Sequence, residues 1–338
     1  MKRRGVTVLL GAVITVLLSL GVLAAPIPYV VLSPGPTVNT LGKDDNKDVI
    51  QISGTETYNS AGQLRLTTVK VRSDVKLLPA IAGWFSDDDA VVPREVIYPP
   101  DTTEKQVEQQ NAEDFAASQT SAETAALTEL GYPVQVTVTE VTSGGPSESA
   151  LKVGDVITTV DGQPVTLAGD LTKAIQTQPP GTALTIGYSR GGTPGTATIT
   201  SEATNGQPPR IGVKIEQKQP HPFNLKIDLA DIGGPSAGLM FALGIVDKLG
   251  AEDLTGGKVI AGTGTMNDAG GVGPIGGIPQ KLVGAKDAGA VAFLVPADNC
   301  DEAVDNAVSG LPMFKVSTLD DALTALETFR SGGQPTPC

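Results

Sequence analysis

One histidine, His221, and two cysteines, Cys300 and Cys338, are all that 338 residues hold of the usual soft-metal ligands. That excludes a Cys-based zinc cage, a His-rich metal site and a disulfide scaffold, and no cofactor is expected. Aromatic residues are only 4% of the chain, so any core must be built from Val, Ile, Leu and Ala. The sequence has no G-x-x-x-x-G-K-[ST] loop, and with it the common phosphate cradle of ATP-driven machines is absent. Positive charge is also scarce. With 24 Lys and Arg against 37 Asp and Glu, the formal net charge is −13, a poor match for a phosphate backbone. Nucleic acid is not expected as a partner.

One long apolar run is present. Lys2, Arg3 and Arg4 precede an uncharged stretch from Gly5 to Ala25, and no charge follows until Lys43. Those residues make about 31 Å of helix, close to the hydrocarbon thickness of a bilayer. The basic residues place the N-terminus in the cytoplasm and the body outside. Residues 1–27 are thus read as a cytoplasmic tip and transmembrane helix. The competing reading is a cleaved signal peptide ending near Val22-Leu23-Ala24, and either way the body is exported. In that compartment Cys300 and Cys338 are free to oxidise.

The length predicts two or three domains, and 40% apolar residues suffice for more than one core. Residues 28–129 read as extended chain, a β-hairpin turning at Asn59-Ser60-Ala61-Gly62, a Trp84–Asp89 loop and a Gly- and Pro-free helix from Glu104 to Leu130. The aspartates 87–89 lack the spacing of a calcium loop. From 130 to 204 a strand near Val134–Val141, a short helix at Ser147–Lys152, a strand ending at Asp161-Gly162, a helix at Leu167–Gln176 and two further strands follow in order. After a linker at Asn205–Pro209, strands and helices alternate through 205–330: strands at Ile211–Ile215, Ile227–Ala230, Val259 and Val291–Val295, and helices at Ser236–Leu249, Pro279–Ala288 and Leu319–Thr328. Residues 331–338 form a tail.

Chemistry concentrates between 233 and 286. Gly234-Pro235-Ser236-Ala237-Gly238 contains G-x-S-x-G, the nucleophile elbow of α/β-hydrolases. That elbow needs a histidine downstream of the serine, and His221 lies upstream. A His221–Asp228 or Asp231–Ser236 triad would crowd into one loop and strand. A lysine activates serine when burial keeps its amine neutral. Lys248 shares the serine's helix, Lys258 follows a glycine turn, and Lys286 sits beside Asp287. Lys281 instead has Gly284, Ala285 and Ala288 at i+3, i+4 and i+7, a stripe of small residues suited to close packing. Lys281 is the candidate base and Ser236 the candidate nucleophile. Ser149–Lys152 matches S-x-x-K, but without K-T-G.

Leu151-Lys152-Val153-Gly154-Asp155-Val156-Ile157 with Asp161-Gly162 resembles a PDZ domain of the type attached to exported proteases. The resemblance maps a carboxylate-binding loop onto Leu130-Gly131-Tyr132, with a peptide adding as a strand beside Val134–Val138. In the other reading Gly131 only caps the preceding helix. Gly234–Gly238 with Pro274-Ile275-Gly276-Gly277-Ile278-Pro279-Gln280-Lys281 resembles the Ser–Lys proteolytic domain of Lon proteases. The whole chain is similar to the membrane-anchored PDZ–Lon-like proteins of bacteria.

The resemblance implies a multidomain α+β protein: a transmembrane helix, a PDZ-like β-barrel with two helices at 130–204, and a Lon-type α/β domain at 205–330. Gly233, Gly234, Pro235 and Ala237 would shape the turn and oxyanion site. Where Lon proteases carry a supporting threonine this chain has Ala261, with Thr263 and Thr265 nearby, and Gly233 stands where Lon has an aspartate. Leu64 to Val69 also resembles the opening of the Lon domain, so that the PDZ unit would be an insertion. The implied function is an ATP-independent, membrane-tethered endopeptidase acting on peptides or unfolded chains, in a homo-oligomer that Lon relatives suggest is a hexamer. The alternative is a non-catalytic PDZ adaptor on a Lon-like scaffold.

Overall fold

A computed structural model describes residues 2–203, 206–229 and 232–338. Two compact units emerge: the first comprises 1–51, 57–122 and 226–338, the second 52–56 and 123–225. The architecture is mixed α/β and multidomain.

The first unit is built on a six-stranded sheet in the order Met313–Val316, Ala292–Pro296, Val259–Gly262, Gln63–Arg72, Tyr29–Asn39, Ala90–Pro93. The first four strands run parallel and the last two pair antiparallel. Ala292–Pro296 is buried along its whole length, as expected of a parallel strand covered on both faces. Residues 28–129 are therefore not a separate segment, because two long strands from it share this sheet with strands from 259 onward. The expected hairpin at 59–62 does not form: Ile50–Ser53 pairs with Asn224–Ile227, in a sheet different from that of Gln63–Arg72. Long-range bonds override the local turn, since Ser60 Oγ donates to the Asp247 carboxylate and Gln63 N to Lys258 O.

Helix Gly238–Leu249 is buried from Gly238 to Asp247, an apolar cylinder enclosed by its surroundings. Helix Ile278–Asp287 packs its small residues toward the strand Tyr29–Asn39, where a side chain at Gly284 would touch Gly35 and Pro34. Trp84 ends a helix, Leu77–Trp84, rather than opening a loop, while Ser86 Oγ accepts the Asp88 and Asp89 amides in the turn beyond. The strand expected at Ile227–Ala230 is instead Asn224–Ile227; Ala230 lies outside the described residues, as do Asn205 of the linker and Asp231.

The first helix is Lys2–Ala24, and its described Val, Leu and Ile side chains between 8 and 20 are exposed. Among the described residues no helix is long and apolar enough to cross a membrane.

The second unit is an antiparallel sheet in the order Thr193–Thr200, Ala183–Arg190, Val156–Val160, Gln135–Val141, Val213–Lys218, with the short strand Gln163–Pro164 beside Val156–Val160. Helix Ala168–Gln176 buries Leu171 and Ile175 against Val136, Val138, Ile157, Leu184 and Ile186. Ser147–Lys152 forms turns, not the expected helix; Lys152 N and Gly154 N are committed to Asp155 Oδ2 and Val138 O.

Cys300 and Cys338 are joined as a disulfide, 38 residues apart in sequence. Closing a loop of that size removes about 4 kcal/mol of unfolded-chain entropy in the polymer model. Cys338→Ser is expected to lower the stability of the first unit, which holds both cysteines, by about 2–4 kcal/mol, read as a fall in urea midpoint under non-reducing conditions. An unchanged midpoint would show that the bridge contributes nothing.

Candidate active site

Ser236 lies in a 3-10 turn, Pro235–Ala237, that runs directly into helix Gly238–Leu249. Gly234 precedes it at φ +85°, a left-handed conformation that favours glycine. Two groups of helix Glu104–Glu129 fix the turn: Asn111 O accepts the Gly234 amide (2.8 Å), and Ser118 Oγ donates to Pro235 O (2.8 Å). Pro235 has no N–H and the Gly234 N–H is already used, so both shape the turn instead of holding an oxyanion. Among the described residues the Ser236 amide has no backbone acceptor outside the helices, and it lies in the 3-10 turn that leads into the helix, where donors commonly lack an intrahelical partner. Gly233 and Ala237 line the same cavity as Ser236.

Lys281 is delivered by a separate device. Gly277 caps helix Ile278–Asp287 at φ +73°, with Pro279 in the first turn. A Cβ on Gly277 would come within 2.6 Å of the Val69 side chain, so the loop can approach the sheet only with glycine there. The result is a lysine only 3% exposed. Its amine donates to Thr263 Oγ1 (3.0 Å), and Thr263 Oγ1 in turn donates to Ser236 O (3.0 Å). Removal from water lowers the Lys281 pKa from 10.5 to about 7, so a large neutral fraction exists at physiological pH.

Ser236 and Lys281 line one cavity of about 650 Å³, together with Thr68, Val69, Lys70 and Thr265. Among the described residues the amine is bonded to Thr263, not to the Ser236 hydroxyl. Such catalytic hydrogen bonds commonly tighten only when substrate is bound. Of the two threonines singled out in sequence, Thr263 holds the lysine, while Thr265 lines the cavity. Lys286 donates to Gly310 O, and Lys258 lies over the Phe329 ring. His221 belongs to the second unit, where its ring stacks near Tyr132 and Phe223.

Sequence reasoning missed Asn299. Its side-chain amide, 6% exposed, clamps both Ile275 N and Ile275 O, which fixes the cavity wall leading to Lys281. The only sequence cue was a polar residue three positions beyond the strand Ala292–Pro296.

The peptide-binding assignment to Leu130, Gly131 and Tyr132 is overturned. All three amides donate to the end of helix Glu104–Glu129: Leu130 N to Ala126 O, Gly131 N to Thr128 O, Tyr132 N to Leu127 O. Gly131, at φ +84°, is a helix C-cap, and no donor is left for a terminal carboxylate. Nor is the strand Gln135–Val141 a free edge, since Val213–Lys218 pairs along it. Val213–Lys218 is itself the outer strand of that sheet.

Comparison with known proteins finds two domain families within the chain. Residues 106–200 match the PDZ domain family, and residues 230–327 match the Lon protease (S16) C-terminal proteolytic domain. Lon protease 1 of Sorangium cellulosum is 34% identical over 126 residues, which are 36% of this chain and 15% of that protein. Lon protease of Escherichia coli (strain K12) is 35% identical over 108 residues, 30% of this chain and 13% of that protein. The matched region is therefore a small part of those relatives. The crystal structure of the PDZ domain of an SdrC-like protein from Listeria monocytogenes is 27% identical over 24% of this chain and 85% of its own, with a TM-score of 0.23. Residues 106–200 thus carry a PDZ domain, and residues 230–327 a Lon-type C-terminal proteolytic domain, which is the domain of a serine peptidase.

Proposed function

We propose that this chain is an ATP-independent, membrane-tethered serine endopeptidase in which Lys281 serves Ser236 as general base. The observation that carries the reading is a lysine buried to 3% exposure, with a pKa near 7, in the wall of the cavity that also contains Ser236. Neutral Lys281 Nζ takes the Ser236 hydroxyl proton as Oγ attacks a peptide carbonyl, and the carbonyl π pair moves onto oxygen. The C–N bond then breaks and the proton passes to the leaving amine, leaving an acyl-enzyme that water hydrolyses by the same route. Thr263 keeps the amine in place and is tied to the serine's own backbone. The helix start at Ser236 supplies a partial positive charge for the developing oxyanion.

The PDZ unit recruits or gates peptides. Among the described residues an outer strand of its sheet is Val213–Lys218, beside helix Ala168–Gln176, whose first amide donates to Gln217 Oε1. Gly212, at φ +76°, precedes that strand. A peptide would add there, by the same physics assigned above to the wrong strand. Tethering rests on the basic tip and the uncharged run 5–25. With no nucleotide-binding loop to drive unfolding, loose chains and exposed termini are the substrates.

The full-length protein in detergent, given casein, tests the reading. Cleavage is expected from the parent and is lost in both Ser236→Ala and Lys281→Ala. Undiminished cleavage by Lys281→Ala would discard the dyad.

A further inference from the structure

We propose that the catalytic cavity selects peptide segments bearing a carboxylate side chain, and that Lys70 is the residue that reads it. The inference deepens the peptidase reading and rests on it.

Among the described residues the cavity wall contains two cations, Lys281 and Lys70, and no Asp or Glu. Lys281 is buried and bonded to Thr263, whereas Lys70 is exposed to the cavity mouth and to solvent. The other cations of its strand are engaged. Arg65 donates to Gln63 and Thr37, and Arg72 pairs with Asp89 and Ser33. No ion pair among the described residues includes Lys70. An ammonium without an ion-pair partner, in a wall whose other described residues are apolar or neutral, attracts a carboxylate. On a chain of net charge −13, it offsets the repulsion an acidic substrate meets elsewhere.

The backbone gives that charge a fixed address. Strand Gln63–Arg72 pairs with Val259–Gly262 only from Gln63 to Leu66. From Thr67 onward its flank on that side has no strand partner among the described residues, and Thr68, Val69 and Lys70 line the cavity there. A segment extended along this flank advances about 3.3 Å per residue, with alternate side chains on opposite faces. Lys70 therefore addresses one position at a set number of residues from the scissile bond, not acidic character in general.

The test walks a single Glu, Gln or Lys through each position of one cleavable, internally quenched peptide, using full-length parent protein, Lys70→Arg and Lys70→Glu. At one position the parent is expected to prefer Glu over Gln by about three- to tenfold in kcat/KM, with the preference shrinking as salt rises. Lys70→Arg keeps the preference, and Lys70→Glu inverts it in favour of the Lys peptide. A misfolded variant cannot produce that inversion. A Glu-to-Gln ratio near one at every position, or one unchanged in Lys70→Glu, overturns the proposal while leaving the peptidase reading intact. Fluorescence anisotropy of the same peptides on Ser236→Ala separates the converse case. Lys70-dependent binding of the Glu peptide, with no cleavage by the parent, would keep the carboxylate site and discard the peptidase.

Discussion

Lys281→Met is expected to abolish hydrolysis and, at neutral pH, to make the folded chain more stable. The two effects share one cause. Holding the amine out of water keeps its pKa near 7 instead of 10.5, a penalty on the order of 5 kcal/mol against an exposed lysine. Methionine has similar length and no charge, and it loses only the bond to Thr263, whose own hydroxyl still donates to Ser236 O. A gain of about 2–4 kcal/mol is expected, read as a higher urea midpoint for the unit, alongside a fall in kcat/KM of at least about a thousandfold.

The pH dependence identifies the cause. Between about pH 7 and 10.5 the unfolded chain binds a proton at this lysine that the folded chain does not, so wild-type stability rises with pH across that window. Below about 7 both states are protonated and the full penalty remains. The advantage of Lys281→Met should therefore shrink steadily as pH climbs toward 10. Activity of the parent should rise through half-maximum near pH 7 as the neutral amine accumulates. A variant no more stable than the parent, or an advantage independent of pH, would mean that the amine is solvated in solution.

The lysine was legible in sequence because close helix packing leaves a local trace. Gly284, Ala285 and Ala288 stand at helical spacing from Lys281, and Pro279 marks the helix start. Thr263 was visible only as a neighbour, since nothing local distinguishes the threonine that bonds the amine from Thr265, two residues on. The sheet was largely hidden. Parallel pairing of Gln63–Leu66 with Val259–Gly262 joins segments almost two hundred residues apart, and no periodicity records such a contact. Leu130-Gly131-Tyr132 failed for the opposite reason, because one glycine serves a helix cap and a carboxylate loop with the same left-handed backbone. Only the hydrogen-bond partners decide, and here the helix takes all three amides. The outer strand Val213–Lys218 lies beyond the segment that carries the Leu151–Ile157 motif, and nothing local in Gln135–Val141 records that this later strand pairs with it.

That motif also yields the largest expected loss of stability. Asp155, within Leu151–Ile157, is completely buried, and Arg190 grips it twice, Nε to Oδ1 and a terminal nitrogen to Oδ2, both at 2.7 Å. The Arg190 guanidinium, with the Lys152 amide, holds the Asp155 carboxyl below its ordinary pKa. Arg190 also donates to Ala150 O and lies over the Tyr188 ring, so one side chain ties the turn before Asp155 to the strand Ala183–Arg190. Arg190→Ala strands a buried carboxylate and is expected to cost the PDZ unit about 3–5 kcal/mol at pH 7. Arg190→Lys, unable to make the fork, should recover only part of that. Because the folded carboxyl pKa is depressed, the stabilisation is present above the unfolded value near 3.8 and is lost as pH falls through the folded one. The gap between parent and Arg190→Ala, followed by denaturation monitored in this unit, should therefore narrow in acid. A gap below about 1 kcal/mol at pH 7 would mean that water, not Arg190, neutralises Asp155.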